Sequence, residues 1–150
     1  MMTIKTNQLG DIEISEDDII QFQHGIPGFP GLTQYVIIYP NQDDDVFSYL
    51  QSVENSEVSF VLVHVNELIP DYSPIVDKEY LMDLGAFKDE DLLMYNIANI
   101  PNNIREMTVN LRAPIIVNPL TCKGKQVVAN NEEYSVKHKV FNAPSEAGDS

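Results

Sequence analysis

Tryptophan is absent from this sequence of 150 residues, and cysteine occurs only once, at Cys122. A single thiol cannot form a disulfide within the chain, so packing and hydrogen bonding must hold the fold together. Sparse cysteine also suits a reducing compartment. We expect Cys122 to be a small, half-buried structural side chain.

Long apolar runs are absent as well. No stretch approaches the length of about 20 residues that a membrane-spanning helix needs. The N-terminus also lacks the basic patch, apolar stretch and small-residue cleavage site of a secretion signal. We therefore expect a cytoplasmic protein that makes no membrane contact.

Basic residues are scarce: 9 lysines and arginines stand against 23 acidic residues, a formal net charge of −14. Such a field repels phosphate backbones, whose binding needs clustered Lys and Arg, so the sequence argues against direct nucleic-acid binding. The same field would steer a basic protein partner toward the chain. Solubility alone is the second explanation of the charge.

Apolar residues make up 43% of the sequence, enough for one core. They fall in short β-type runs between turn residues. DIEIS at 11–15 alternates, with Ile12 and Ile14 on one face. VSFVLVHV at 58–65 is apolar on both faces, as in a strand covered on each side. The predicted strands are 3–6, 9–14, 19–22, 35–39, 47–52, 58–65, 92–100, 107–111, 115–118 and 126–129.

This pattern predicts a mainly β fold: one antiparallel barrel-like or sandwich-like domain over residues 1–141, with one or two short helices. A helix over 77–84 would place Tyr80, Leu81 and Leu84 on one face, with Gly85 as its C-terminal cap. A second helical turn is expected within 88–93. Residues 142–150 are small and polar and are expected to form a flexible tail.

FQHGIPGFPGL at 22–32 contains three glycines, which raises the question of a phosphate loop. The Gly-Lys-Ser/Thr sequence and following helix of such a loop are missing, as is the dinucleotide fingerprint. Pro27-Gly28 instead fits the middle of a type II turn, and Pro30-Gly31 can form a second one. We interpret the segment Gly25, Ile26, Pro27, Gly28 and Phe29 as a structural corner that projects Ile26 and Phe29 into the core.

Catalytic and metal-binding patterns are not evident. The three histidines, His24, His64 and His138, are far apart in sequence and form no short ligand pattern with Cys122. Asp11 and Glu13, about 7 Å apart on one strand face, could form a carboxylate pair, although a solvated hairpin is the simpler interpretation. The sequence therefore predicts no enzyme, no cofactor and no metal site, with a carboxylate-dependent hydrolase kept as the alternative.

Several blocks together resemble the flagellar assembly factor FliW family, and they cover most of the chain outside the tail. The blocks are IIQFQHGIPGFPGL at 19–32, FSYLQSVE at 47–54, VSFVLVHV at 58–65, PDYSP at 70–74, MTVNLRAPIIVNP at 107–119 and GKQVV at 124–128.

The resemblance implies a non-enzymatic cytoplasmic regulator with two protein partners. One is CsrA, a small basic dimer that represses translation by binding messenger RNA, and which the family antagonises away from its RNA groove. The other is flagellin before export, which competes for the same regulator or is bound in a chaperone-like role. A purely structural accessory protein of the flagellum is a further alternative.

Three groups of residues are candidates for partner contact. We expect Asp43, Asp44 and Asp45 to steer the basic partner, and Tyr72, an aromatic in a proline-bounded loop, to anchor it. Asn110 could touch a partner, although an Asn in this setting commonly satisfies nearby backbone.

Overall fold

A computed structural model describes residues 1–7, 9–40, 46–85 and 87–141. The aspartates at 43–45 and the tail at 142–150 lie outside these ranges. Within them the chain forms eleven strands: β1 Met2–Lys5, β2 Asp11–Ile14, β3 Ile20–Gln21, β4 Gln34–Ile38, β5 Phe47–Ser52, β6 Ser59–Val63, β7 Leu93–Asn99, β8 Thr108–Val109, β9 Ile115–Asn118, β10 Lys123–Gln126 and β11 His138–Lys139.

Seven of these strands close a barrel in the order β3, β4, β5, β6, β7, β9, β10 and back to β3. Every pairing around the ring is antiparallel except the last. There β10 meets β3 in parallel through a single residue pair, Lys123 with Gln21. This short β3–β10 junction is called the seam below. The predicted mainly β, barrel-like fold is confirmed, and the parallel seam departs from the expected antiparallel pattern.

The barrel interior is filled by alternate residues of the strands, since successive side chains point to opposite faces. Phe22 and Tyr35 meet edge to face with ring centroids 5.3 Å apart. The interior cluster contains Ile20, Phe22, Ile26, Tyr35, Leu50, Leu62, Tyr95, Ile115 and Val117. Gly124 is buried in this wall, where a Cβ would lie 2.7 Å from the Phe22 ring.

The outer surface of the barrel carries further apolar layers. The β1–β2 hairpin covers β4 from outside, where Ile4 and Ile14 pack on Val36. On β6, Leu62 points inward while Val63 joins an outer cluster, so the strand is covered on both sides as its sequence indicated. On β2, Asp11 and Glu13 are exposed, as expected of a solvated hairpin face.

The helical segments of the described residues are all 3₁₀ helices: Glu16–Asp18, Val65–Glu67, Lys78–Leu84, Asp89–Asp91 and Ile104–Glu106. The longest ends at Gly85, whose φ of 87° fits the predicted cap. Leu81 and Leu84 are buried, but Tyr80 is exposed, so its predicted place on the buried face was wrong. A 3₁₀ helix has three residues per turn, which aligns positions 81 and 84 and turns position 80 away.

Two strand predictions differ from the structure at the C-terminal end. The last predicted strand, 126–129, shares only Gln126 with the observed strand, Lys123–Gln126. The two-residue strand β11 was not predicted, because it carries no apolar alternation. It pairs with β8 and extends the sheet beyond the barrel ring.

Candidate functional site: a cleft at the barrel seam

The Pro-Gly corner begins with the turn Ile26–Phe29. The Phe29 amide donates to the Ile26 carbonyl at 2.7 Å, and Gly28 has a φ of 94°. A positive φ at the third position defines a type II turn, so this prediction is confirmed. A second turn follows, closed by a 3.2 Å bond from the Leu32 amide to the Phe29 carbonyl. Gly31 has no positive φ, so this second turn is not of type II as predicted.

The corner projects one apolar side chain into the core rather than two. Ile26 is 2% exposed, whereas Phe29 is 39% exposed and its ring packs edge-on against Phe60 at 5.8 Å. Tyr35 and Phe60 already fill this part of the interior, with ring centroids 6.3 Å apart. Phe29 therefore covers the barrel rim, and the prediction that it enters the core was wrong.

Gly25 is the glycine that the corner constrains most. Its φ is 67°, and a Cβ there would lie 2.5 Å from the Phe29 carbonyl oxygen and 2.8 Å from Pro30 Cα. At Gly28, by contrast, a Cβ would meet nothing within 4 Å. Conformation alone selects glycine at position 28, while conformation and space both select it at position 25.

The seam leaves part of the β10 edge uncovered. The Val127 amide donates to the Pro114 carbonyl at 3.0 Å, so these opposite residues form a hydrogen-bonded pair of the ladder with β9. Such pairs alternate along an antiparallel ladder. The backbone N–H and C=O of Gln126 therefore point away from β9. Farther along, the Asn130 amide donates to the Ile75 carbonyl at 2.7 Å, which covers the edge again.

A cleft of about 610 Å³ lies beside this edge, between the Pro-Gly corner and the end of the 78–84 helix. Pro27 and Pro30 supply exposed apolar surface on one wall, and the buried side chains of Ile26 and Leu84 lie beneath the cleft. The lining residues are Gln21, Gln23, His24, Gly25, Ile26, Pro27, Gly28, Pro30, Asp83, Leu84, Lys123, Gly124, Lys125 and Gln126. Two of the sequence blocks quoted above, 19–32 and 124–128, thus form opposite walls of one cleft.

Charged groups at the cleft are partly compensated. Lys125 Nζ donates to the Tyr80 carbonyl at 2.7 Å and lies 3.3 Å from both carboxylate oxygens of Asp83. His24 Nε2 lies 3.8 Å from Asp83 Oδ2. Lys123 forms no ion pair with any residue in the described ranges, so it is the uncompensated cation of the cleft.

The arrangement is suited to binding rather than to acid–base chemistry. Asp83 is the single carboxylate among the lining residues that the structure describes, and Lys125 already pairs with it. A carboxylate-dependent hydrolase would need a second acid in the same pocket. Across the described ranges, no group of three or more His, Cys, Asp and Glu side chains is placed to hold a metal ion.

Tyr72, proposed from sequence as a partner anchor, is 4% exposed. Its hydroxyl donates to the Leu111 carbonyl at 2.7 Å and accepts from Asn96 Nδ2 at 3.0 Å, and its ring lies 4.9 Å from that of Tyr134. Burial raises the pKa of Tyr72 to about 12, although the Asn96 hydrogen bond acts in the opposite direction. In this conformation the side chain is buried and packs against its neighbours, so its role as a partner anchor stays a prediction.

Asn110 bonds to nearby backbone groups, which is the alternative to partner contact that the sequence offered. Its Oδ1 accepts from the Arg112 amide at 3.1 Å and from the Ala113 amide at 2.9 Å, so the side chain shapes the turn before β9. Asp43, Asp44 and Asp45 fall outside the described residues. Of the predicted set, the described structure brings Gly25, Ile26, Pro27 and Gly28 together in one wall of the cleft.

Sequence reasoning missed His24, Asp83, Lys123, Lys125 and Gln126 as neighbours. They come from three segments separated by some tens of residues, and only the barrel closure joins them. The GKQVV block was the available signal, but its apolar residues drew attention to 126–129 as a strand. The strand edge that faces the cleft belongs instead to the observed strand, Lys123–Gln126.

Fold and cleft define a small closed β-barrel protein with an open groove on the outside of its seam. The model of the FliW protein family matches residues 3–140, so the chain belongs to the FliW family. A crystal structure of the flagellar assembly factor FliW superposes with a TM-score of 0.85 at 36% identity, covering 93% of this chain and 97% of that one.

Curated relatives agree with this membership. The flagellar assembly factor FliW of Thermoanaerobacter pseudethanolicus is 40% identical over 140 residues, which is 93% of each chain. That of Alkaliphilus metalliredigens is 41% identical over 141 residues, covering 93% of this chain and 86% of the relative. No helix in the described ranges is both long and apolar enough to cross a membrane.

Proposed function

We propose that this protein is a cytoplasmic flagellar assembly factor that binds two proteins in turn, a CsrA-type translational repressor and flagellin. Membership of the FliW family carries the proposal, since relatives at 40% and 41% identity bear the name flagellar assembly factor. Binding to the repressor frees flagellin messenger RNA for translation. Newly made flagellin then takes up the factor, which returns the repressor to the RNA.

The charge of the chain supports the repressor as a partner. A basic RNA-binding dimer would be steered by the field of −14 charges. Once docked beside the RNA-binding surface, this field raises the cost of bringing in phosphates, even where the RNA groove stays uncovered. In this proposal Asp43, Asp44 and Asp45 contribute to the steering.

The switch between partners requires only mutually exclusive binding. Flagellin that occupies the factor lowers its free concentration, and the repressor complex dissociates accordingly. This mechanism uses no reaction centre, cofactor or nucleic-acid contact. The paired state of Asp83, the one carboxylate in the described lining of the cleft, is in keeping with a non-enzymatic role.

Calorimetric titration of the purified chain with each partner, and with both together, tests the proposal. We expect a stable complex with each and displacement of the repressor by flagellin. Binding of neither partner would contradict the proposal. A flagellin complex that never exchanges with the repressor would instead favour the structural accessory role.

A further inference from the structure

Part of the β10 backbone faces the cleft. Gln126 lies between two residues, Lys125 and Val127, whose backbone groups pair with β9, so its own N–H and C=O face the cleft. On the cleft side, β3 reaches only as far as the Lys123–Gln21 pair. Among the described residues, the seam therefore presents a short unpaired strand edge of the kind that can accept an additional strand.

Apolar surface adjoins this edge. Pro27 and Pro30 are exposed and line one wall of the cleft, above the buried side chains of Ile26 and Leu84. A side chain of an added strand would have a rigid, preformed pocket beside it, because Pro27 and Pro30 restrict the backbone on that wall. A preformed pocket lowers the ordering cost of binding.

The charge of the cleft favours an extended segment that carries a carboxylate. Asp83 is compensated by Lys125 at 3.3 Å and lies 3.8 Å from His24, whereas Lys123 has no ion-pair partner in the described part of the chain. The cleft therefore offers a free cation on a molecule whose net charge is −14. A carboxylate on the incoming segment would complement it.

We infer that the seam cleft binds an extended segment of a partner protein as an added strand on the β10 edge, with an apolar side chain beside Pro27 and Pro30 and a carboxylate near Lys123. The inference rests on the proposed function in assuming a protein partner. It adds the site and the chemistry of the bound segment. Residues two apart on a strand share a face about 7 Å apart, so an apolar residue and a glutamate at that spacing fit together.

A peptide titration tests the cleft without either partner protein. The probe is acetyl-Ser-Thr-Val-Thr-Glu-Ser-amide, added to the ¹⁵N-labelled full chain while the backbone amides are followed by NMR. We expect saturable shifts concentrated at Gly124 and Gln126. A control peptide is N-methylated at the backbone of its valine and of the threonine that follows the valine. It should bind at least roughly tenfold more weakly, because strand addition needs those amides.

Two variants test the charge of Lys123 and the strand edge at Gln126. Lys123→Glu should weaken the peptide roughly fivefold, whereas Lys137→Glu, the same charge change on an exposed residue outside the cleft lining, should not. Gln126→Pro removes the cleft-facing N–H and the 3.0 Å side-chain bond to the Ala113 carbonyl, but no backbone bond of the β9 ladder, so it should weaken peptide binding while the fold persists. Loss of the fold in Gln126→Pro would leave the N-methylated peptide as the test of the edge.

Several results would overturn the inference: shifts spread evenly over the surface, equal binding of the N-methylated peptide, or equal loss in both lysine variants. Self-association of the chain that masks the Gln126 amide would show that a second copy occupies the cleft instead. Hydrogen exchange separates this inference from the proposed function. Repressor or flagellin binding that leaves the Gln126 amide unprotected contradicts the cleft alone, and failure of both to bind contradicts the function alone.

Discussion

Gly25 and Phe29 approach so closely that a side chain at position 25 would overlap the Phe29 carbonyl, with a Cβ-to-oxygen distance of 2.5 Å. This contact closes the corner on itself, and the corner forms one wall of the seam cleft. The geometry of the cleft therefore depends on a residue that carries no side chain.

Alanine substitutions at the glycines of the corner should lower the free energy of unfolding by amounts that follow this geometry. Gly28→Ala meets only conformational strain and should lower the free energy of unfolding by about 1–2 kcal/mol. Gly25→Ala adds overlap with backbone and should cost about 3 kcal/mol or more. Gly31→Ala, which has neither constraint, is the control and should change stability by less than about 0.5 kcal/mol. Urea unfolding measures all three, and equal losses at positions 25 and 28 would contradict the assigned contact.

Removal of the Tyr72 hydroxyl should affect stability rather than recognition. Tyr72→Phe leaves the buried Leu111 carbonyl without its 2.7 Å donor, so the free energy of unfolding should fall by about 1–3 kcal/mol. Tyr80→Phe, on an exposed residue, is the matched control and should be close to neutral. Lost partner binding with unchanged stability in Tyr72→Phe would support the anchor role that the sequence suggested.

Alkaline pH should destabilise the fold through its buried tyrosines. Burial, reinforced by the charge of Glu54, raises the pKa of Tyr35 to about 12, and burial raises the pKa of Tyr72 to about 12 as well. In the unfolded chain these hydroxyls ionise near their ordinary pKa of 10.0. Between these values the unfolded state loses protons first, so stability is fully present below pH 10 and falls as the pH rises toward 12.

The expected slope is about 1.4 kcal/mol per pH unit for each such tyrosine. Urea unfolding across this pH range measures it. Tyr72→Phe should reduce the slope by one tyrosine's share, and comparison with the parent chain cancels the contribution of exposed lysines. An unchanged slope would show that Tyr72 is not protonated preferentially in the fold.

Neutralisation of the acidic run should alter association kinetics. Asp43→Asn, Asp44→Asn and Asp45→Asn together should slow association with the CsrA-type repressor and flatten its dependence on salt, because steering acts through screened charge. The dissociation rate should change little. Stopped-flow measurements over a salt series check this, with Asp11→Asn, Glu13→Gln and Asp17→Asn as a triple control of equal charge. An unchanged salt dependence in the 43–45 variant would remove these residues from the steering role.

The sequence predicted the barrel more completely than the site. Alternation located β2, which has one solvated face, and an apolar run located β6, which is covered on both faces. Periodicity was less informative at 78–84, where a 3₁₀ helix shifts the buried face by one residue relative to an α-helix. Tyr72 looked like a loop aromatic, and only the Asn96 and Leu111 contacts reveal its packing role.

The cleft depends on contacts that no local pattern encodes. Asp83 and Lys125 are 42 positions apart in sequence and meet because the 78–84 helix packs across β10. The free edge at Gln126 follows from the hydrogen-bond alternation set by Val127 and Pro114. The local sequence explains why the chain turns at Pro27-Gly28, but it does not show that this turn faces the cleft.

Release of RNA is the most direct test of the central claim, that this chain acts by exchanging protein partners. Labelled flagellin messenger RNA bound to the CsrA-type repressor would be titrated with the chain, and its anisotropy followed before and after flagellin is added. The account predicts that RNA is released by the chain and rebound once flagellin is present. Repressor–RNA complexes that persist at saturating chain, or direct binding of the RNA by the chain itself, would contradict it.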